Sequence, residues 1–301
     1  MYKILILNNI SPKFFNLLPD DFYCSKDIKN PDAIVVRSFD LHKFKFNENL
    51  KAIFRAGTGV NNIPLEECTK KNIAVFNTPG ANANAVSELT IASLLLISRN
   101  IINAANWVKS QSTNKELNKT IEAKKSLFLG NEIKDKTLGI VGFGNIGKLV
   151  ASSALKLQMQ VIWHDPFVSN SLKNLGTKVN SIGEIYEHSD FISLHLPATK
   201  TSFEMINKDS ISKMKQGVKI LNFARGELVK PEDIIKAIKA RKIDKYITDF
   251  PTIDMLNVDN IIALPHIGAN TIDSQELCAK MAAVELVDFF KHKKLVNCVN
   301  F

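Results

Sequence analysis

Gly142, Gly144 and Gly147 form a G-x-G-x-x-G run directly after the apolar pattern Leu138-Gly139-Ile140-Val141. The first glycine permits a tight turn. The second lets the backbone approach a bulky anion, and the third lets a helix pack closely on the strand. A helix predicted over 146–157 opens there, and free N–H groups at its N-terminus favour a pyrophosphate. About twenty residues further on, a strand predicted over 160–164 ends at Asp165. A carboxylate at that spacing accepts hydrogen bonds from adenosine ribose hydroxyls and repels the extra phosphate that distinguishes NADP from NAD. Taken alone, Asp165 also reads as a turn residue before Pro166.

Three further features fall at predicted strand ends, where open α/β sheets bind ligands. Leu221-Asn222-Phe223-Ala224-Arg225-Gly226 sets an arginine where its fork can grip a carboxylate, or form a surface ion pair. Thr248-Asp249-Phe250-Pro251-Thr252-Ile253-Asp254 supplies two acids, either of which also reads as a loop cap. Pro265-His266-Ile267-Gly268-Ala269 offers a histidine, the side chain that titrates near neutral pH and most often moves protons in catalysis. A lone histidine is more often structural; here it completes a set of arginine, acid and histidine.

The elements needed to hold these residues follow from the alternation of short apolar runs with helical patterns, which points to parallel sheets covered by helices. Runs at 3–7, 33–37, 52–55 and 74–76 read as four strands of a first unit. A long helix is predicted from about 84 to 110, then a polar stretch at 111–125 that reads as an exposed helix or a loop. Six strands follow, at 138–141, 160–164, 191–194, 218–222, 246–248 and 261–263, with helices between them, and a last helix is predicted at about 271–291. Six strands with intervening helices are the layout of a doubly wound nucleotide-binding domain.

Composition excludes several classes. The 301 residues carry a formal charge of +9. The lysines are spread along the chain with no recognition helix or RNA-binding motif, so the charge reads as a solvated surface that favours small anionic substrates, with no nucleic-acid partner. Cys24, Cys68, Cys278 and Cys298 are scattered, without metal-ligand spacing, which predicts no metal site and suits a reducing cytoplasm. The apolar run at 91–97 is too short for a membrane span.

Six strings together resemble the D-isomer-specific 2-hydroxyacid dehydrogenase family: VVRS (35–38), RAGTGVNNI (55–63), FNTPGANANAVSELT (76–90), GIVGFGNIG (139–147), LNFARGELV (221–229) and PHIGANT (265–271). They occur in family order along essentially the whole chain. The resemblance implies two Rossmann-like domains with doubly wound parallel sheets. An NAD-binding domain (99–269) would be inserted into a flavodoxin-like substrate domain (1–98 and 270–301), and a homodimer would form through the cofactor domain. It implies NAD contacts at Thr78, Gly142, Gly144, Asn145, Ile146, Gly147, Asp165, Leu196, Pro197, Phe223, Ala224, Asp249, His266 and Gly268. Arg225 would bind the substrate carboxylate and carbonyl oxygen, with the Thr58-Gly59-Val60 backbone beside it. Arg37, Ser38 and Arg55 would meet a substrate phosphate. His266 would be the proton carrier.

Two departures stand out. Where the family has a catalytic glutamate followed by proline, counting from Asp249 gives Asp254, and aligning on Phe-Pro-Thr gives Ile253. Many relatives also carry a C-terminal serine-sensing domain, and none is expected here. The same fold also serves as a transcriptional corepressor, a rival class in which NAD is sensed without turnover.

Overall fold

The computed structural model describes residues 1–169 and 173–301, and the chain gathers into two compact units, residues 1–85 with 269–301 and residues 86–268. The first unit opens with strands β1 (Tyr2–Ile6), β2 (Phe22–Ser25), β3 (Ala33–Val36) and β4 (Ala52–Arg55), helix α1 (Leu65–Lys70) and strand β5 (Ala74–Phe76). Every pairing among these strands is parallel, in the order β2-β1-β3-β4-β5. Side chains alternate with period two. Ile4, Ile6, Val35, Phe54 and Phe76 turn to one face, and Leu5, Ile34, Val36, Ile53 and Val75 to the other. Both faces are buried, so the strands read as continuous apolar runs. The sequence reading lacked β2, because Phe22-Tyr23-Cys24-Ser25 lies between Asp20-Asp21 and Lys26-Asp27. As an edge strand with one neighbour it tolerates an exposed Tyr23.

The second unit holds most of α2 (Ala83–Ser98), then α3 (Ile101–Ser110) and α4 (Leu117–Lys124). One helix was expected where α2 and α3 stand. Asn100, at φ 52°, breaks it, and the two segments are bent by 63°. Left-handed backbone cannot continue a right-handed helix, and asparagine adopts it more readily than most residues. Among the described residues no single helix is long and apolar enough to cross a membrane.

There follow β6 (Thr137–Val141), α5 (Asn145–Lys156), β7 (Gln160–His164), β8 (Thr177–Lys178), α6 (Ile182–His188), β9 (Phe191–Leu194), α7 (Lys208–Lys213), β10 (Val218–Asn222), α8 (Pro231–Lys239), β11 (Ile243–Thr248) and β12 (Ile261–Ala263). They form a parallel sheet in the order β12-β11-β10-β9-β6-β7-β8. The strand beyond the six expected is β8, whose two residues are too few to leave a periodic signal. From β6 the chain winds outward through β7 and β8, then crosses to β9 on the other side. That reversal opens a crevice beyond the carboxyl ends of β6 and β9.

Helix α9 (Ile272–His292) belongs to the first unit. Thr271 caps it, its Oγ1 accepting the Ser274 N–H at 3.1 Å. Cys278, Ala279, Ala282, Ala283, Leu286 and Phe290 recur at helical spacing and pack on the Ile4–Phe54 face of the sheet. The chain then adds an antiparallel bridge to the β5 edge, Phe76 opposite Cys298. Glu285 is trapped beneath this segment, 5% exposed, its Oε1 accepting from Asn297 Nδ2 at 2.7 Å. Burial pushes the Glu285 carboxyl up from 4.5 to about 7, against the smaller lowering by Asn297. The folded chain therefore holds this proton more tightly than the unfolded one. The stability it contributes is complete below pH 4.5 and is lost as pH rises from there through 7. A rise of that size corresponds to about 3 kcal/mol. In urea titrations from pH 4.5 to 8, the wild type should lose stability relative to Glu285→Gln by about that amount. Parallel curves for the two proteins would contradict this assignment.

Candidate cofactor and active site

The glycine run lies at the crevice. Gly142 leaves β6 with φ 89° and its N–H bonded to the His164 carbonyl at 3.0 Å. A Cβ at Gly142 would lie 2.5 Å from the His195 carbonyl oxygen and 3.0 Å from Leu196 Cβ. At Gly147 a Cβ would collide with the Gly142 carbonyl oxygen, whereas at Gly144 it would meet nothing within 4 Å among the described residues. Two of the glycines are thus required by the fold, and Gly144 leaves space for something outside it. Gly144 also stands at the N-cap of α5, so Asn145 and Ile146 open a helix that has no side-chain cap.

Asp165 follows β7. Its Oδ2 accepts the Phe143 N–H at 2.8 Å and its Oδ1 the Phe167 N–H at 2.9 Å. These bonds fix the carboxylate beside the glycine loop and leave each oxygen a second lone pair for a ribose hydroxyl. Phe143 stacks on Trp163 with centroids 4.0 Å apart, which anchors the loop to β7. Leu196 and Pro197 follow β9, and Phe223 and Ala224 follow β10. Asp249 follows β11 and is buried. Its Oδ2 accepts the Gly268 N–H at 2.6 Å, while its Oδ1 is buried with no hydrogen-bond partner among the described residues. A buried orphan acceptor, an open position at Gly144 and an uncapped helix together fit a dinucleotide.

Arg225 lies just beyond β10, half-buried, with its Nη1 donating to the Ala224 carbonyl at 2.6 Å. Its backbone is held by Asn222, a residue the sequence reading did not single out. Asn222 is fully buried. Its Oδ1 accepts the N–H groups of Ala224 (3.1 Å) and Arg225 (3.3 Å), and its Nδ2 donates to the Arg225 carbonyl (2.8 Å) and Tyr246 Oη (3.3 Å). His195 was also missed, although it directly follows a predicted strand. Its Nε2 lies 2.8 Å from Ser193 Oγ, and burial holds the imidazole down at about 3, so it stays neutral.

His266 is exposed, with φ 54°, an uncommon conformation for a side-chain-bearing residue, and its ring rests against Phe250 at 4.8 Å. Asp254 sits on the short 3₁₀ turn Ile253–Met255, faces solvent, and makes no hydrogen bond or ion pair among the described residues. The structure does not join Asp254 to His266, and Ile253 beside it is 78% exposed.

In the first unit, Arg37 and Ser38 follow β3, and Arg55 ends β4. Thr58-Gly59-Val60 lies beyond β4, tied to the loop after β5. Thr58 Oγ1 donates to Asn82 Oδ1 at 2.8 Å, and Asn77 Nδ2 donates to the Thr58 carbonyl at 2.6 Å. Thr78 is wholly buried, its Oγ1 without a partner among the described residues.

Residues 91–268 match the family model described as D-isomer specific 2-hydroxyacid dehydrogenase, NAD binding domain. The chain is 36% identical to a hydroxypyruvate reductase of Thermotoga maritima, over 87% of this chain and 85% of that protein. It is 35% identical to a D-3-phosphoglycerate dehydrogenase of Archaeoglobus fulgidus, over 91% of this chain and 52% of that protein. The chain belongs to the D-isomer-specific 2-hydroxyacid dehydrogenases. It spans about half the length of the phosphoglycerate dehydrogenase from Archaeoglobus. Among solved structures, the NAD-bound 3-phosphoglycerate dehydrogenase of Entamoeba histolytica superposes with a TM-score of 0.81 at 30% identity, covering 100% of this chain and 99% of that one. As a 2-hydroxyacid dehydrogenase the chain is an NAD-dependent oxidoreductase.

The glycines separate fold from binding. Gly142→Ala should destabilise the chain by more than about 1 kcal/mol, since the new methyl meets backbone at a positive φ. Gly144→Ala should unfold near the wild-type temperature yet bind NAD on the order of tenfold more weakly, because the methyl would enter the space that the loop leaves open for a pyrophosphate. Thermal unfolding beside NAD titration checks both. Wild-type NAD affinity in Gly144→Ala would refute the cradle.

Proposed function

We propose that the chain oxidises 3-phospho-D-glycerate to 3-phosphohydroxypyruvate. The observation that carries this reading is the register of β3 on β4, with Val36 opposite Arg55. Arg37 and Arg55 thereby stand at the same end of adjacent strands, and two guanidiniums suit a phosphate dianion. The relative from Archaeoglobus supports it by name. A second reading, turnover of the unphosphorylated glycerate/hydroxypyruvate pair, draws on the relative from Thermotoga.

NAD, held by the glycine loop, Asp165 and Asp249, supplies the hydride acceptor. Arg37, Ser38 and Arg55 bind the phosphate. Arg225 and the Thr58–Val60 backbone bind the carboxylate, and Arg225 also polarises the C2 oxygen. His266 takes the C2 hydroxyl proton as the C2 hydrogen departs with its electron pair, leaving a ketone. Asp254 is the acid that the family resemblance assigns to orient the imidazole, although here the ring rests on Phe250. The chain pairs with a second copy through its cofactor domain. Helices α3 and α4, which bury no residue and leave Ile101 and Val108 exposed, are the surface offered.

Steady-state kinetics with and without the phosphate separate the two readings. The kcat/KM for 3-phospho-D-glycerate should exceed that for D-glycerate at least tenfold, and equal efficiencies would reject the phosphate role. His266→Asn should lose about 10²–10⁴-fold in kcat while NAD affinity stays near wild type. Asp254→Ala should lower kcat by a smaller factor. An unchanged kcat there would leave Phe250 as the sole support of the ring.

A further inference from the structure

Beyond β1 the backbone turns left-handed at Asn8, φ 73°. The half-buried Asn8 side chain reaches the loop after β3, where its Oδ1 accepts three successive backbone N–H groups: Arg37 at 3.2 Å, Ser38 at 3.0 Å and Phe39 at 2.9 Å. The loop is wrapped around one amide oxygen. This happens where the first sheet reverses, between neighbours β1 and β3, the position at which such sheets bind ligands. A second asparagine holds the other end of the same arginine. Arg37 Nη2 donates to Asn270 Oδ1 at 3.3 Å, and Gln275 Nε2 donates to that oxygen at 3.1 Å.

Both holds on Arg37 are made by neutral oxygens. Arg37 has no carboxylate partner among the described residues, and only one of its side-chain donors is engaged there. A guanidinium fixed by aspartates would have its charge cancelled. Fixed by amides, it keeps a full positive charge and most of its N–H donors, already oriented for an anion. Pre-orientation lowers the cost of ordering a long side chain on binding.

We propose that Asn8 and Asn270 are specificity-determining positioning residues. They hold Arg37 without neutralising it, so that a phosphorylated 2-hydroxy acid is preferred to its unphosphorylated counterpart. This rests on the phosphate reading of Arg37 given above.

The test measures kcat and KM for 3-phospho-D-glycerate and D-glycerate in the NAD-saturated enzyme. Asn8→Gly removes the acceptor while tolerating the positive φ. Asn270→Ala changes an exposed residue and does not threaten folding. Asn8→Asp keeps the three hydrogen bonds and adds a negative charge. In all three, the ratio of kcat/KM between the phosphorylated and unphosphorylated substrates should fall about tenfold or more, through KM for the phosphorylated one. Inorganic phosphate should weaken in parallel as a competitive inhibitor. The Asn8→Asp result is the discriminating one, because a purely structural Asn8 would be rescued by aspartate. A wild type indifferent to the phosphate overturns the phosphate reading, and this inference with it. A wild type that prefers the phosphate, with Asn8→Asp and Asn270→Ala keeping that preference, overturns this inference alone.

Discussion

At Gly142 the backbone leaving β6 passes so close to the loop after β9 that a single Cβ would sit 2.5 Å from a carbonyl oxygen. The arrangement of the crevice depends on that approach. It brings the ends of β6 and β9 together where the sheet reverses, and it turns the chain into α5 without a side-chain cap. It also brings the Phe143 N–H to Asp165, so the carboxylate that would read the ribose is set by the same turn that would admit the pyrophosphate. Charge and shape at this site are therefore not independent. A side chain at Gly142 would displace the acid, the helix and the loop of His195 together.

Two of the site's arginines are presented by side-chain amides. Asn222 spans the turn after β10 and delivers Arg225; Asn8 spans the turn after β3 and delivers Arg37. In each case an oxygen with two lone pairs collects neighbouring backbone N–H groups that a strand end would otherwise leave unpaired. Amides perform this task without adding charge, which suits sites that must attract anions. A half-buried, neutral His195 behind the glycine loop fits the same economy of charge.

Much of this was legible beforehand, for identifiable reasons. The apolar runs of β1, β3 and β4 are continuous because both sheet faces are covered, and the glycine run with Asp165 at its proper distance is dictated by the turn it makes. What escaped was set by tertiary contact or by too few residues. β2 is an edge strand among charges, β8 is two residues long, and the break in the long helix turns on the backbone of Asn100 alone. Glu285 reads as a polar position on a helix until the segment after α9 closes over it. Asn8 and Asn222 gave no signal because their partners are backbone groups, which every sequence contains. The relation of Asp254 to His266 was ambiguous in the sequence, and in the structure the ring rests on Phe250 instead of an acid.

In the proposed reaction the C2 hydrogen of the 2-hydroxy acid leaves directly as hydride, and His266 takes only the hydroxyl proton. Deuterium placed at C2 of 3-phospho-D-glycerate follows that hydrogen, by mass spectrometry of the products after turnover in ordinary water. The label is expected quantitatively in the reduced nicotinamide, with none in the solvent. Label washed into water, or turnover of the acid without NAD reduction, would contradict it.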